Sequence, residues 1–481
     1  MIAGPNQRRS RVLVIGAGVS GCTAAIRLTH HGHDVTLAER AVFPREKICG
    51  CCLGAAGLRA LDAIGLGETV RDLGTPTHTF VAYLQTSHRQ APHEDGPRAG
   101  LPERSVCSSP IRLPIAPGVA VSRATLDSYL VQQAARLGVR IWQPCEAQVV
   151  TTNNDCVAVR YRSLGEDRGQ TARLDNASSV ENVSRDRSAA AKEDWQESDE
   201  FDLVVLATGL TGVFSGGNVK GAKEVGDDRD AATTRRWQLP WIESPHGPLG
   251  IAAHLSNEDP LAAAWDLPCG EIQMVCGDEG YVGLVRLPGG EIDIAAALRS
   301  ERQRRHGHGD EGSSDDARSD STTGRLVRLL QSHPDWKTGM NELVHEWLAQ
   351  RARLMTAPPL RRRRQPGLGR VVAIGDCAGY VEPMTGEGMT WGIESGIAVA
   401  DLWDGRSLSD DFVSQWNHTL KSLQPKRRML CGSVTRAMRS STLRYVTLSS
   451  LRPAPWLARP ITRGLATGPS FRTTHPSDSI P

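Results

Sequence analysis

Apolar positions in this chain come in short runs that stop at glycine. Arg11–Ile15 (RVLVI) is a buried-strand pattern running into Gly16. The spacing that follows predicts a helix over residues 20–31 and a second strand over 33–38. A further helix–strand pattern covers 123–137 (RATLDSYLVQQAARL) and 139–142. Two more strands, 202–207 (DLVVLA) and 371–374 (VVAI), again end in glycine-rich text, the second in GDCAGYVEPMTGEG before a helical pattern. Alternation over 280–287 (GYVGLVRL) and 291–298 (EIDIAAAL), joined by Pro-Gly-Gly, predicts a β-hairpin. Strand patterns also dominate 75–119 and 232–299.

Two stretches break the pattern. Residues 161–200 and 302–323 are rich in charge, Ser and Asn and poor in apolar side chains, so they are expected to be disordered insertions. His306 and His308 fall in the second and read as solvated loop. The run Arg361–Arg364 also reads as a solvated loop. The chain has 481 residues, which calls for more than one domain, and its net charge of +2 offers no electrostatic case for a nucleic-acid partner. No apolar run is long enough to span a bilayer. Eleven cysteines, an odd number without a secretory pattern, suit reduced thiols in the cytoplasm.

The chemistry is announced by Gly16, Gly18 and Gly21 in GAGVSG, a G-x-G-x-x-G between strand and helix, with Glu39 closing the second strand. The first glycine permits the tight turn, the second admits a pyrophosphate, and the third lets helix and strand pack. The helix start supplies unpaired N–H groups to phosphate, and Glu39 can accept from ribose hydroxyls. Ser20 and Arg40 flank these positions. The fingerprint does not choose between FAD and NAD. The remaining pieces do: they are displaced past residue 123 and reappear near 375, as in flavoprotein folds.

With those residues in view the chain resembles the flavoprotein superfamily of geranylgeranyl reductases, group A aromatic hydroxylases and flavin-dependent halogenases. GAGVSG with Glu39 carries the resemblance, as does PREKICGCCL, similar to the proline–lysine–cysteine–glycine segment of the reductases. So does IGDCAGYVEPMTGEGM, similar to the G-D…P-x-x-G-x-G flavin motif. The resemblance implies an α/β fold: a discontinuous Rossmann-like FAD-binding domain (8–74, 120–160, 201–231, 365–405) and an inserted antiparallel β-sheet substrate domain (75–119, 232–364). A helical C-terminal region (406–481) completes it. It implies FAD as cofactor, with Asp376, after Gly375, on the ribityl chain. Pro383, Gly386, Gly388 and Met389 would lie at the flavin edge, where a helix start favours negative charge. Arg123, Lys47 and Gly209 are further cofactor contacts, and Cys49 would face the ring. The turn at Gly16 and the acidic motif at Asp376 are thus expected to converge.

No general acid or base stands out by spacing; Cys49 is the one weak catalytic candidate, and no metal site is expected from the cysteines. Aromatic hydroxylases carry an Asp where this chain has Thr208, so use of NAD(P)H as a transient electron donor is a weaker expectation than FAD itself. The halogenase W-x-W-x-I-P is absent; WQLPW, with Trp237 and Trp241, has the wrong spacing. The expected activity is flavin-dependent oxidoreduction of an apolar small molecule, by alkene reduction or aromatic hydroxylation. The alternatives are a non-catalytic or redox-sensing flavoprotein and, below these, a halogenase. Trp237 and Tyr281 are candidates for the pocket wall or for ordinary core. The basic, amphipathic tail, with Lys426, Arg427 and Arg428 at its head, either makes peripheral membrane contact or caps the substrate domain.

Overall fold

A computed structural model describes residues 9–86, 106–107, 110–152, 155–164, 195–210, 239, 241–243, 247–299, 321–357, 362–364, 366–380, 384, 386–405 and 409–473. Its first sheet has six strands in the order Gly367–Leu368, Val371–Ala373, Leu203–Leu206, Arg11–Ile15, Asp34–Ala38, Arg140–Trp142. All pairings are parallel except the first. Such strands are covered on both faces, which is why Leu203–Leu206 is buried at every position and reads as an unbroken apolar run. The helices Val19–His30, Arg123–Arg136 and Gly388–Leu402 pack on this sheet.

The second large sheet lies in the inserted domain, in the order Met355–Ala357, Leu249–Leu255, Ile292–Leu298, Gly280–Arg286, Glu271–Cys276, Thr75–Thr86, Ile111–Ala120, Cys52–Leu53. The predicted hairpin is present as Gly280–Arg286 against Ile292–Leu298. The sheet is not purely antiparallel: Glu271–Cys276 runs parallel to Thr75–Thr86. These two strands are joined through the other domain rather than by a hairpin, so nothing forces them to oppose.

Three expectations from composition change. The stretch 161–200 is not a uniform insertion, because Val157–Ser163 and Gln196–Phe201 are strands that pair antiparallel, with Cys145–Thr152 beyond them. Charged residues there sit on strand faces; Arg160 and Arg162 lie over the Trp195 ring and bond Gln148 and Glu146. The second insertion ends earlier than residue 323, since the helix Thr322–Gln331 is capped by Ser321, whose Oγ accepts from Gly324 N. Arg362–Arg364 is a strand against Trp241–Glu243 instead of a loop. Trp237, His306 and His308 lie outside the described residues.

The tail is helical: Ser409–Ser422, Pro425–Arg439, Ser441–Leu451 and Arg459–Ala466. One buried cation ties it to the first domain. Arg427 bonds Glu394 at 2.6 Å and also Glu387, both on or beside the helix Gly388–Leu402. Burial raises the Glu394 carboxyl to about 7, against the pull of Arg427. Removing one partner of a buried ion pair leaves charge without compensation. Arg427→Met should therefore cost about 3–5 kcal/mol in urea or thermal unfolding. The deficit should shrink as pH falls, because protonation neutralises the orphaned carboxyls; a pH-independent change within 1 kcal/mol would contradict this role.

Candidate functional site: a glycine-lined cradle opening into an apolar cavity

The strand Arg11–Ile15 delivers the chain into Gly16 with φ +106°, a conformation that favours glycine. A Cβ at Gly21 would stand 1.8 Å from the Gly16 carbonyl, so helix and turn touch directly. The helix Val19–His30 starts without a side-chain cap, leaving its first N–H groups for a ligand. Three cations surround that start. The Cβ position of Gly18 is 3.3 Å from Arg123 Nη2, 3.4 Å from Lys47 Nζ and 3.8 Å from Arg45 Nη2. Arg123 and Arg45 are held by the buried Asp127, at 2.7 and 3.4 Å. Lys47 has no hydrogen-bond or ion-pair partner among the described residues; burial, then Arg123 and Arg45, lower its pKa. An open helix start ringed by cations suits a dianionic diphosphate.

Glu39 stands at the end of Asp34–Ala38. Its Oε2 accepts from Ala17 N at 2.8 Å and its Oε1 from Ala41 N at 2.9 Å, with Arg45 at 3.3 Å. This places it at the rim of the same turn. Arg40 is exposed and points no group into the cavity.

The second glycine motif meets the first. Gly375 has φ +55°, and its Cβ would lie 2.4 Å from Ser20 Oγ; its N–H donates to Ser395 Oγ at 2.9 Å. Asp376 lines the same cavity as Gly18, Ser20, Lys47, Arg123 and Gly209. Burial raises its pKa, while Lys47 and Arg123 oppose the rise. Gly386, Gly388 and Met389 line the cavity further along, at the start of the helix Gly388–Leu402; Pro383 lies outside the described residues. Gly16, Gly21, Glu39 and Gly375 support the wall from behind. Thr208 donates to Cys377 Sγ at 3.5 Å.

The cysteine-rich loop forms the wall opposite. Cys49 and Cys52 line the cavity, and Cys51, at φ +48°, turns the chain into the strand Cys52–Leu53. A hydrogen bond from Cys51, then Arg123 nearby, lowers the Cys49 thiol to about 6 in spite of burial. Cys51 and Cys52 are pushed up, Cys51 by its bond to Cys49 and then by burial, Cys52 by burial. Cys49 is therefore the most acidic thiol of the group.

The cavity measures about 570 Å³. Beyond the cradle its walls are apolar: Phe80, Leu113, Ile272 and Met274 from the second sheet, then Leu430, Val434, Met438 and Leu465 from the tail. Tyr281 is part of this wall. Spacing had not pointed to Asp293, His254, Tyr380 or Met384. Only Asp293 left a signal, as the one acid inside the otherwise apolar IDIAAAL.

An open helix start with cations, a glycine cradle and a cavity able to take a planar ring define an FAD-binding α/β protein. Residues 9–175 match the model of the FAD binding domain family. That match covers about a third of the chain and identifies an FAD binding domain at its N-terminal end. It is similar to kynurenine 3-monooxygenase of Salinispora arenicola, 44% identical over 85 residues, which cover 16% of this chain and 19% of that one. The match thus spans about a fifth of that relative. A menaquinone reductase of Mycolicibacterium smegmatis is 23% identical over 478 residues, covering 94% and 95% of the two chains. The solved structure of a flavoprotein/dehydrogenase from Cytophaga hutchinsonii shares the fold, with a TM-score of 0.58 at 14% identity over 95% and 92% of the chains.

Lys47 supplies the test of the cradle. A charge-assisted hydrogen bond is worth about 1.5–3 kcal/mol. Lys47→Met should weaken FAD binding to deflavinated protein by ~10–100-fold in a flavin-fluorescence titration; an unchanged Kd would remove Lys47 from the site.

Proposed function

We propose that this protein is an FAD-dependent reductase that saturates a carbon–carbon double bond in an extended, apolar molecule. The observation that carries this reading is the continuity of the cavity from Asp376, Met389 and Cys49 to the tail residues Val434 and Leu465. A compact polar substrate would leave most of that wall unfilled. Bound FAD supplies hydride chemistry at its ring. The chain's own residues hold and surround it: the helix starts at Val19 and Gly388 face negative charge, and Lys47 and Arg123 neutralise it. The apolar sheet and tail keep water from the reacting carbons. The full-length likeness to a menaquinone reductase supports reduction and a hydrophobic substrate. NAD(P)H is the proposed transient electron donor, without a Rossmann domain of its own.

Oxygen insertion is the second reading. The likeness over 85 residues to a kynurenine 3-monooxygenase favours it. Mass spectrometry of products separates the two. Incubated with FAD, an electron donor and either geranylgeraniol or menaquinone whose ring is reoxidised before analysis, the protein should return a product heavier by two hydrogens. A product heavier by one oxygen would replace the reductase reading with the monooxygenase one.

We further propose that the tail meets a membrane surface, from which such a substrate would enter. Met429, Tyr445 and Trp456 are exposed by 65%, 60% and 60%, among Arg436, Arg439, Arg452, Arg459 and Arg463. Ile461 is both exposed and part of the cavity wall. Among the described residues no helix is long and apolar enough to cross a membrane, so the contact would be peripheral. Each buried apolar side chain contributes about 1.5–3 kcal/mol. Trp456→Glu with Leu457→Glu should thus weaken co-sedimentation with anionic phospholipid vesicles ~100-fold or more. A wild-type protein that stays in the supernatant would refute the contact.

A further inference from the structure

Alkene reduction needs a proton as well as a hydride, and the apolar cavity contains few groups able to give one. Lys47, Arg123 and Asp376 belong to the cradle. The second sheet contributes one carboxyl among the described residues of the wall, Asp293, which is 1% exposed. It lies on Ile292–Leu298 with Ala295 and Ala297, which also line the cavity. Small neighbours on alternate positions of the strand leave space above the sheet beside the acid.

Asp293 is also the inner end of a short polar path to solvent. Its register partner on the adjacent strand is His254. His254 Nε2 is 3.1 Å from Asp293 Oδ1 and 3.3 Å from Glu46 Oε2, whose side chain is 43% exposed. Neither Nε2 nor Oδ1 makes a hydrogen bond of good geometry, although both are buried atoms. Cys51 Sγ, the His254 ring and the Asp293 carboxyl all come within 4.8 Å of one another. Unsatisfied buried polar atoms cost about 1–3 kcal/mol each, so three converging groups call for a purpose beyond packing.

We propose that Asp293 is the proton donor of the reaction and that His254 and Glu46 return the proton from solvent. The assignment rests on the reductase reading above. One alkene carbon would receive hydride, the two-electron chemistry that reduced FAD would supply when bound; its neighbour takes the proton from Asp293. The carboxyl O–H bond breaks and a C–H bond forms. His254 Nε2 then takes a proton from Glu46, which draws one from solvent, and passes it to the Asp293 carboxylate, so the imidazole ends as neutral as it began. Burial first, then Cys49 and Glu46, raise the Asp293 pKa well above the usual carboxyl range, while the Cys51 thiol opposes the rise. That favours the protonated donor at rest. Cys52, whose thiol is raised by burial, is the remaining titratable group facing the acid.

The test uses wild-type, Asp293→Asn and His254→Gln holoproteins, matched for flavin content. Wild type at neutral pH should show an infrared C=O stretch of a protonated carboxyl that Asp293→Asn lacks. In a single turnover, oxidation of the pre-reduced flavin by geranylgeraniol should slow about 100-fold or more in Asp293→Asn, the usual range for general acid catalysis. His254→Gln should keep the first turnover and lose later ones. An absent infrared band, or an unslowed Asp293→Asn with a reactive alkene, overturns the assignment alone. One equivalent of zinc in the purified wild type, lost in both variants, overturns it in favour of a metal site. A wild type that saturates no double bond of geranylgeraniol or menaquinone, with the infrared band intact, ends the reductase reading and takes the donor role with it.

Discussion

The close contact between the helices Val19–His30 and Gly388–Leu402 sets the geometry of the site. A Cβ on Gly392 would stand 2.5 Å from Ser20 Oγ, and one on Gly396 would stand 2.5 Å from both Ser20 O and Thr23 Oγ1. The helices touch because these positions carry no side chain. Their separation fixes the distance between the Gly16 turn and Asp376, which come from residues more than three hundred apart in the chain. Any widening would separate the two open helix starts that face the cavity.

Charge in the cradle follows from that contact. Arg45, Lys47 and Arg123 crowd around Gly18, and Asp127 holds two of them in place. Asp127 is wholly buried and is answered by two guanidiniums. The third cation, Lys47, is left for a ligand. A hydrogen bond from Cys51, and then Arg123, lower the Cys49 thiol, while its two neighbours are raised. Three cysteines of similar appearance in the sequence thereby become one acidic thiol beside two that are pushed up.

The far end of the cavity has different physics. Its walls are apolar, and part of them belongs to a tail that Arg427 fastens to Glu387 and Glu394. The tail is thus both a lid over the second sheet and a bearer of exposed apolar side chains. Asp293 sits between the two regimes, at the sheet face where the cradle ends.

Much of this was legible in the sequence because it is local. A strand running into G-x-G-x-x-G and then a helix needs only neighbouring residues to specify it, and the elements fall within one or two residues of the pattern. Motif resemblance located Lys47, Cys49, Arg123 and Asp376, all of which line the cavity. Composition misjudged the two ends of 161–200, while 165–194 lie outside the described residues, because charged residues on a strand look like those of an unfolded segment until a partner strand is known. Asp127 pairs with Arg123 one helical turn away, but its second partner, Arg45, and the path from Glu46 through His254 to Asp293 had no linear spacing, since those contacts join the cofactor loop to elements far along the chain. The sequence by itself determined the turn, the helix start and the chemistry available at each position. Which cation stays unpaired, which thiol is most acidic and which acid reaches the cavity were decided only by the tertiary structure, because each depends on burial and on neighbours across the fold.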